Sequence, residues 1–564
     1  MSPPRCALAD TAPGAAGRRA ADPGLLAVLA AALLPIAYST ELEHPFWAPK
    51  AALCLLLLGP GAVAVARLVA AGDGAAMAAT AFVAAAGLSA ALSDKPALAL
   101  VGGANWGTGL LFDATLVGAW ALGRLCTGHR RRQLVTAVLA AALVNAAVGW
   151  LQARDLVPDV LESPGRSAGL MGNPVHLGAL AAAAIVLAGS RLREDRRWYL
   201  WVGALALLAG AAQLSGGRSA VGLGLVATAV VAWRAGPRRG AAAVAAVVAG
   251  ALVASVWAGG KAVTGSSRAV GQESTAQVGE RIDLWRLSVG AIGRRPLLGW
   301  GPDRFEAATT PRYVPPVTEG GRQIYRDAHN WVVEYATTTG LVGLGLLVAW
   351  LALAARDARG PLAAVAAVAG VFLLFEPLSV SLCPLALLAL GASTRGPPLP
   401  AAGPAWRAAA VAGLLVGAGF AVVLLAGEVR LRQATLDISR DRYRQAAPLL
   451  PAWPDVSLAG ARVEAYFGLH DEAARRATLE LARQATRRDP ASSQAWAYLG
   501  QLERVWGSEQ RARAALDAAL RRDPWLAEAL ERRASLARSG GEDGVLADVC
   551  GRLKTLGRTT PSCR

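Results

Sequence analysis

The sequence predicts an all-α protein in which a polytopic transmembrane helical bundle precedes a soluble α-solenoid. Hydrophobic residues make up 54% of the chain and charged residues only 17%, whereas soluble proteins are about a quarter charged. Long apolar runs recur, each close to the ~20 residues that a helix needs to cross a bilayer. The C-terminal region is polar and carries a repeated motif. The first two observations predict the membrane bundle, and the third predicts the solenoid.

About twelve or thirteen apolar runs are predicted to be membrane-spanning helices. A helix satisfies its own backbone hydrogen bonds, as a segment in lipid must, and the runs lack the alternation of short strands. The segment FEPLSVSLCP at 375–384 is either a turn between two spans or a re-entrant break, so the count is open by one. The runs lie near 24–40, 49–70, 75–92, 108–124, 133–151, 174–190, 198–214, 219–233, 241–258, 331–354, 362–376, 378–393 and 407–427.

Three regions follow from this pattern. Residues 1–23 are predicted to be a disordered cytoplasmic lead without a cleavable signal peptide. Residues 24–427 form the membrane body, into which a polar external loop, 259–330, is inserted. Residues 428–564 form the soluble helical domain, called the tail below.

The net charge of +17 does not predict a nucleic-acid partner, because of where the arginines lie. They concentrate in alternate short loops between the apolar runs, which is the positive-inside pattern of membrane proteins. This pattern predicts a cytoplasmic N-terminus and a lipid bilayer as the surroundings of the body. The segments then predicted to lie outside are 93–107, 152–173, 214–219 and 259–330.

The tail contains an internal repeat. The motif RRDP occurs at 487–490 and again at 521–524, and the sequence between the two copies reads as two helices. A helix–turn–helix unit with a period of about 34 residues resembles the tetratricopeptide repeat. Such repeats stack into concave surfaces that bind peptides or proteins, so a protein partner is expected. The alternative is a plain helical hairpin without a ligand.

The six cysteines show no Cys-x-x-Cys or Cys/His spacing typical of a metal site, and no metal or other cofactor is predicted. Cys54, Cys126 and Cys383 lie in or beside apolar runs, where small core residues are expected. If thirteen spans place the tail outside the cytoplasm, Cys550 and Cys563 lie in an oxidising compartment and could form a disulfide.

Polar residues at membrane depth are costly, so each is a candidate for a functional site. Four short segments carry such residues, and the predicted topology puts all four on the outer side. In the first, 163–180, Asn173 is either a site residue or the cap of a helix that begins at Pro174. Arg166 and His176 in the same segment could face a site.

The second segment, 213–225, places Arg218 among small residues at a helix start. A guanidinium matches phosphate oxygens, and a helix N-terminus favours an anion. Arg218 is therefore predicted to bind an anion, although an interfacial anchor is the alternative. The third segment, 279–308, predicts an amphipathic helix on the membrane surface, from which Arg281 is expected to reach the site.

The fourth segment places Arg326, Asp327, His329 and Asn330 at the outer start of the run 331–354. The unperturbed pKa of histidine lies near physiological pH, and a nearby carboxylate would keep the imidazole ready to accept a proton. The alternative is that Asp327 or Asn330 caps the helix and His329 is only interfacial.

The order of these motifs resembles the bacterial O-antigen ligase and polymerase superfamily over about residues 165–350. The motifs are GNPVHLGA, SGGRSAVGLGL, ERIDLWRLSVGAIGRRPLLGWGPDRF and DAHNWVVEYATTTGLVGLG. The resemblance implies a GT-C-like fold in the bacterial inner membrane, with the active site and the tail on the periplasmic side. It implies a metal-independent glycosyltransferase that moves a glycan from a polyprenyl-pyrophosphate carrier to the lipid A core, to another glycan or to a protein.

Carried over by motif, Arg218 and Arg281 would bind the pyrophosphate. His329, oriented by Asn330, would act at the acceptor hydroxyl or the leaving group. The possible supporting residues are Arg166, Asn173, His176, Arg326 and Asp327.

The function class stays open between a ligase, a polymerase of the same fold, and a transporter or scaffold. A transporter is expected to show internal repeats and broken helices near the bilayer midplane. The membrane half shows no such symmetry in its sequence, and its polar groups gather at one face, which favours an enzyme.

Overall fold

The computed structural model describes residues 22–103, 107–158, 166–259, 274–313, 326–394 and 402–564. Most of the predicted cytoplasmic lead and two parts of the predicted external loop, 260–273 and 314–325, lie outside these ranges. Within them the chain is helical and forms no strand, apart from one isolated bridge between Ala358 and Thr394. The predicted all-α class is confirmed.

The body consists of helices α1 to α17, and each predicted apolar run coincides with one or two of them. In chain order they are α1 Pro23–Leu33, α2 Ala48–Ala70, α3 Gly74–Ala91, α4 Pro96–Val101, α5 Leu110–Arg124, α6 Gly128–Gln152, α7 Pro174–Glu194, α8 Trp198–Leu214, α9 Arg218–Ala235, α10 Pro237–Trp257, α11 Ser274–Arg294, α12 Phe305–Thr309, α13 Trp331–Thr338, α14 Gly340–Ala355, α15 Pro361–Phe372, α16 Leu382–Ser393 and α17 Pro404–Leu436.

Among the described residues, six helices are long and apolar enough to cross a membrane: α2, α3, α6, α7, α10 and α17. Five further apolar helices are shorter, namely α1, α8, α14, α15 and α16. The polytopic helical architecture is thus confirmed, while the number of crossings remains a prediction.

The predicted continuous span 331–354 is wrong, because the chain breaks between α13 and α14. Gly340 has a φ of +72°, a left-handed conformation that glycine adopts without steric cost. The amide of Leu341 donates to the carbonyl oxygen of Pro296 at 2.8 Å. The loop after α11 therefore packs into the break and is anchored there.

The segment between α15 and α16 is not helical. Each of these helices has 12 residues and is about 18 Å long, less than the ~30 Å of a hydrocarbon core. Whether each of these two helices crosses the membrane determines whether the number of crossings is odd or even. The side of the membrane on which the tail lies therefore remains a prediction.

Helices of the body approach one another closely at small residues. A Cβ on Gly61 of α2 would lie 2.6 Å from the Cα of Gly118 in α5, and a Cβ on Gly413 of α17 would lie 2.7 Å from the Cα of Gly59. Such contacts are typical of membrane helices, which pack by van der Waals contact rather than by the hydrophobic effect.

The tail is built from helix pairs that pack in sequence, and α17 extends beyond the predicted boundary at 427 to reach it. Both copies of RRDP end the second helix of a pair, which agrees with the predicted repeat; kinship with tetratricopeptide repeats remains a prediction. The tail helices are α18 Arg440–Ala446, α19 Pro454–Phe467, α20 Glu472–Arg488, α21 Ser493–Trp506, α22 Glu509–Arg522, α23 Ala527–Ser539 and α24 Asp543–Thr555.

The disulfide that the sequence left open is present. Cys550 in α24 is bonded to Cys563 in the C-terminal turn, with a Cα–Cα distance of 5.6 Å. Cys54, Cys126 and Cys383 are buried and not bridged, as expected for small core residues.

Candidate functional site

Asn330 caps α13. Its Oδ1 accepts hydrogen bonds from the amides of Val332 at 2.9 Å and Val333 at 3.2 Å, the arrangement of an N-cap. The capping alternative considered from the sequence is therefore confirmed for this residue. A part in the reaction for Asn330 remains a prediction.

His329 lies directly before this cap with a φ of +50°, which is uncommon for a residue other than glycine. Its Nδ1 is 2.8 Å from Oδ1 of Asp327, and its backbone amide donates to the same oxygen at 2.7 Å. Burial alone would lower the pKa of His329, but the Asp327 carboxylate opposes it and raises the pKa above the ordinary 6.5. The imidazole is thus oriented and made more basic by one neighbour.

Two hydrogen bonds hold the loop that carries Asp327 and His329. Oε2 of Glu334 accepts from the amide of Ala328 at 2.9 Å, and the indole of Trp285 in α11 donates to the Ala328 carbonyl at 2.9 Å. Oδ2 of Asp327 is buried and has no hydrogen-bond partner among the described residues.

Arg281 in α11 lies near a carboxylate from a distant part of the body, and its role in a site remains a prediction. Its Nη2 is 3.6 Å from Oε2 of Glu376, whose Oε1 accepts a hydrogen bond from Ser219 at 3.0 Å. Arg281 and Glu376 both act electrostatically on His329. A guanidinium, a carboxylate and an imidazole therefore share one region of the body.

Glu376 was missed in the sequence. It is the single charged residue between 361 and 394, and it lies in the non-helical segment between α15 and α16, where it is 8% exposed. An ionisable residue inside an apolar stretch marks a functional candidate, so the signal was present. The turn residues of the same segment were the stronger local pattern.

Arg218 and Arg166 lie on two sides of the same turn. Arg218 is the first residue of α9 and is exposed, and its neighbour Ser219 fixes this helix start against Glu376. Nε of Arg166 donates to the Ser215 carbonyl at 2.8 Å, and its charge interacts with Glu376. Arg166 and Ser219 thus place the turn 215–219, at which Arg218 begins α9, beside the buried Glu376 carboxylate.

The first predicted segment contributes a buried histidine. Asn173 caps α7, because its side chain accepts a hydrogen bond from the amide of Val175 at 3.0 Å. This confirms the helix-cap alternative considered for Asn173 from the sequence. His176 is buried, with Nε2 3.4 Å from the carbonyl oxygen of Pro377. The charges of Asp327 and His329 act on its imidazole, which places His176 behind the site.

A buried lysine that the sequence did not single out lies in the same region. Lys50 is 1% exposed and donates to the carbonyls of Leu170 at 2.7 Å and Phe46 at 3.0 Å. Its charge also acts on His176. Lys50 therefore lies near His176, behind the Asp327–His329 pair.

Arg326 differs from its neighbours. Its Nε is 3.7 Å from Oε2 of Glu306, and 42% of its side chain is exposed. It therefore points toward the tail rather than into the Asp327–His329 pair.

Residues 203–348 match the O-antigen ligase family model. The match includes Arg218, Arg281 and His329 and ends before Glu376. It supports the O-antigen ligase superfamily, and together with the apolar helices it supports a multi-pass membrane enzyme of the ligase and polymerase type. A search of curated proteins finds no match to the chain.

The arrangement brings positive charge and a histidine into one region. Arg281 on α11 and Arg166 beside the turn 215–219 both lie near Glu376, and the charges of Arg281 and Glu376 act on His329. Within the described ranges no group of three or more His, Cys, Asp or Glu residues is placed to hold a metal ion. Independence from metal remains a prediction.

Proposed function

We propose that the protein is a membrane glycosyltransferase that moves a glycan from a polyprenyl-pyrophosphate carrier to an acceptor hydroxyl at the periplasmic face of the bacterial inner membrane. The proposal rests on one observation: the Asp327–His329 pair and the Arg281–Glu376 pair lie close enough for Arg281 and Glu376 to act electrostatically on His329. The family match over the segment that contains Arg281 and His329 supports it.

In this reaction the acceptor oxygen attacks the anomeric carbon of the donor, and the bond from that carbon to the pyrophosphate oxygen breaks. The leaving pyrophosphate takes the electron pair, so negative charge grows on its oxygens. Fixed cations aimed at developing charge are usually a large part of catalysis. Arg281 and Arg218 are assigned this role. Glu376 orients Arg281 while leaving other guanidinium N–H groups for phosphate oxygens.

The hydroxyl proton is assigned to His329. Nδ1 faces Asp327 at 2.8 Å, so the Asp327 carboxylate orients the ring and stabilises the imidazolium that forms when the ring accepts the proton. This division of labour between a histidine and a carboxylate is that of general-base catalysis. The raised pKa of His329 strengthens the base, at the cost of a smaller neutral fraction at low pH.

The periplasmic orientation is part of the proposal. The Cys550–Cys563 disulfide supports it, because disulfides persist in oxidising compartments and are rare in the cytosol. The acceptor is proposed to be the lipid A core, with a protein side chain as the second choice, and the tail is proposed to bind a protein.

The first test is carried out on host cells lacking this gene. Surface glycolipids are separated by size, and glycan still attached to polyprenyl pyrophosphate is quantified in the same extract. The proposal predicts loss of long glycan from the lipid A core, with accumulation of long polyprenyl-linked chains. Single repeat units on the core without long polyprenyl-linked chains would instead identify a polymerase. If both pools are unchanged, lipid A core is not the acceptor and the proposal in this form is wrong.

A further inference from the structure

The tail is fastened to the body by a buried arginine. Arg304 is 3% exposed; it donates to the two carboxylate oxygens of Asp94 at 2.9 Å and 2.7 Å and to Oδ1 of Asp489 at 3.2 Å. Asp94 precedes α4 in the body, and Asp489 follows α20 in the tail. Bidentate arginine–carboxylate pairs have a defined geometry, so Arg304 fixes the orientation of the two parts.

A second set of contacts holds the same interface. The indole of Trp453 in the tail donates to the Gly102 carbonyl at 2.9 Å, and the neighbouring amide of Gly103 donates to Asp303. Asp303 also accepts from the hydroxyl of Thr108 at 2.6 Å. The tail and the segment around Asp303 are therefore both tied to one turn of the body.

A cleft lined by both charged and apolar residues lies between the surfaces joined in this way. Its larger part has a volume of about 380 Å³, within the usual ~300–1,000 Å³ of ligand sites. A smaller part of about 80 Å³ shares three lining residues with it, Glu306, Ala307 and Ala491. The smaller part is also lined by Asp303, whose charge acts on Glu334, and Glu334 accepts the hydrogen bond from the Ala328 amide directly before His329. The cleft thus leads from the tail toward the loop that carries His329.

The charges on the wall of the larger part define the ligand that fits. Asp94 and Glu306 come from the body, and Arg521 and Arg522 come from the tail. Asp94 is already paired with Arg304, but over both parts of the cleft the wall carries five carboxylates and four arginines. There is therefore no excess of positive charge, which argues against a phosphate group as the ligand. An apolar ligand is disfavoured by the same charged groups. Sugar hydroxyls can donate to carboxylates and accept from guanidinium groups, so a neutral polyhydroxylated ligand suits both walls.

We propose that this cleft binds a sugar unit of the acceptor, so that the tail forms one wall of the acceptor site. The proposal rests on the function proposed above. It makes Arg521 a specificity-determining residue, although it lies in the tail, far along the chain from His329. The tail then acts on the enzyme's own substrate, in addition to any protein partner.

The test measures binding of core oligosaccharide, released by mild acid from the host's lipopolysaccharide, to the full-length protein in lipid nanodiscs. Ala491→Trp fills the junction of the two parts of the cleft, and Ala547→Trp on the exposed side of α24 is its control. Arg521→Ala removes one charge from the wall, and Arg476→Ala, an exposed arginine of α20, is its control. We expect both cleft variants to raise Kd at least tenfold and both controls to leave Kd unchanged.

Equal affinity in all five proteins, or no binding to the wild-type protein, would overturn the cleft proposal. Transfer assays separate this outcome from failure of the proposed function. Arg521→Ala is expected to raise KM for the acceptor while kcat and KM for the donor stay at wild-type values. A wild-type protein that binds the oligosaccharide but transfers no glycan would disprove the glycosyltransferase and leave the sugar site standing.

Discussion

The helix starts at Asn173 and Asn330 are built alike, yet they place a histidine in opposite surroundings. In both, the asparagine side chain accepts from the amide two residues ahead. His176 follows its cap inside the first turn of α7 and is buried against a carbonyl. His329 precedes its cap, takes a positive φ and pairs with a carboxylate. The same cap therefore supports a core histidine in one place and a site histidine in the other.

The strongest test of this comparison replaces each histidine in turn. His329→Ala is expected to lower kcat by about 10²–10⁴-fold, the usual contribution of a general base. His176→Ala, which removes a buried ring that faces a carbonyl, is expected to lower kcat by less than about tenfold and to act mainly on stability. Initial rates of glycan transfer in nanodiscs, with insertion checked for each variant, provide the measurement. Equal losses in the two variants would contradict the distinction.

The role of the carboxylate beside His329 is tested by Asp327→Asn. Burial lowers the pKa of His329 and Asp327 raises it above the ordinary 6.5, so the substitution should lower this pKa. A general base must be neutral, so the rising limb of kcat against pH should move to lower pH. The plateau should fall at least about tenfold, because the imidazolium loses its partner.

The raised pKa of His329 also makes the stability of the folded protein depend on pH. A raised folded-state pKa means that the His329–Asp327 pairing stabilises the fold fully below pH 6.5. This contribution is lost as the pH rises through the higher pKa of the folded state. Thermal unfolding of the wild-type protein and of Asp327→Asn, measured from pH 5 to pH 9 in steps of about one unit, should converge at the alkaline end. Curves that diverge there would exclude this pairing as the source.

A smaller effect is expected from Glu376→Gln, which keeps the hydrogen bond from Ser219 but removes the charge next to Arg281. Loss of this charge-assisted contact should raise KM for the polyprenyl-linked donor by about tenfold, equivalent to ~1.4 kcal/mol. Ser219→Ala, which leaves the carboxylate in place, is the control and should change KM less. An unchanged donor KM in Glu376→Gln would remove Glu376 from the site.

The smallest effects should come from the caps themselves. Asn173→Ala and Asn330→Ala should each destabilise their helix by about 1 kcal/mol, the usual cost of losing an asparagine cap. Only Asn330→Ala should also lower the transfer rate, because it loosens the chain next to His329. Thermal unfolding and transfer rates of the two variants provide the test, and equal rates would mean that the cap at Asn330 has no influence on the site.

Local patterns in the sequence were enough for much of the architecture. The apolar runs predicted the body helices because helix formation in lipid depends on a continuous apolar stretch. Asn-Pro at 173–174 predicted a helix start because the side chain and the ring satisfy the first turn locally. The break at Gly340 escaped this reasoning, since it depends on Pro296 and its loop packing into the helix.

The residues of the site were less predictable than their segments. Arg281, His329 and Asp327 were identified because an ionisable group beside an apolar run stands out within a few residues. The contact between Ser219 and Glu376 joins positions 157 residues apart, and no local pattern encodes such a distance.

The sequence by itself determined that the chain is a helical membrane protein, because hydrophobicity and helix capping act within a few turns of the chain. The 34-residue repeat of the tail was also visible in the sequence, because each repeat is a local pair of helices with its own pattern. Only the tertiary structure decided which carboxylate meets Arg281, that Arg326 points away from His329, and that Arg304 joins the tail to the body. These pairings depend on how separate helices pack, so their partners are chosen by the assembled fold.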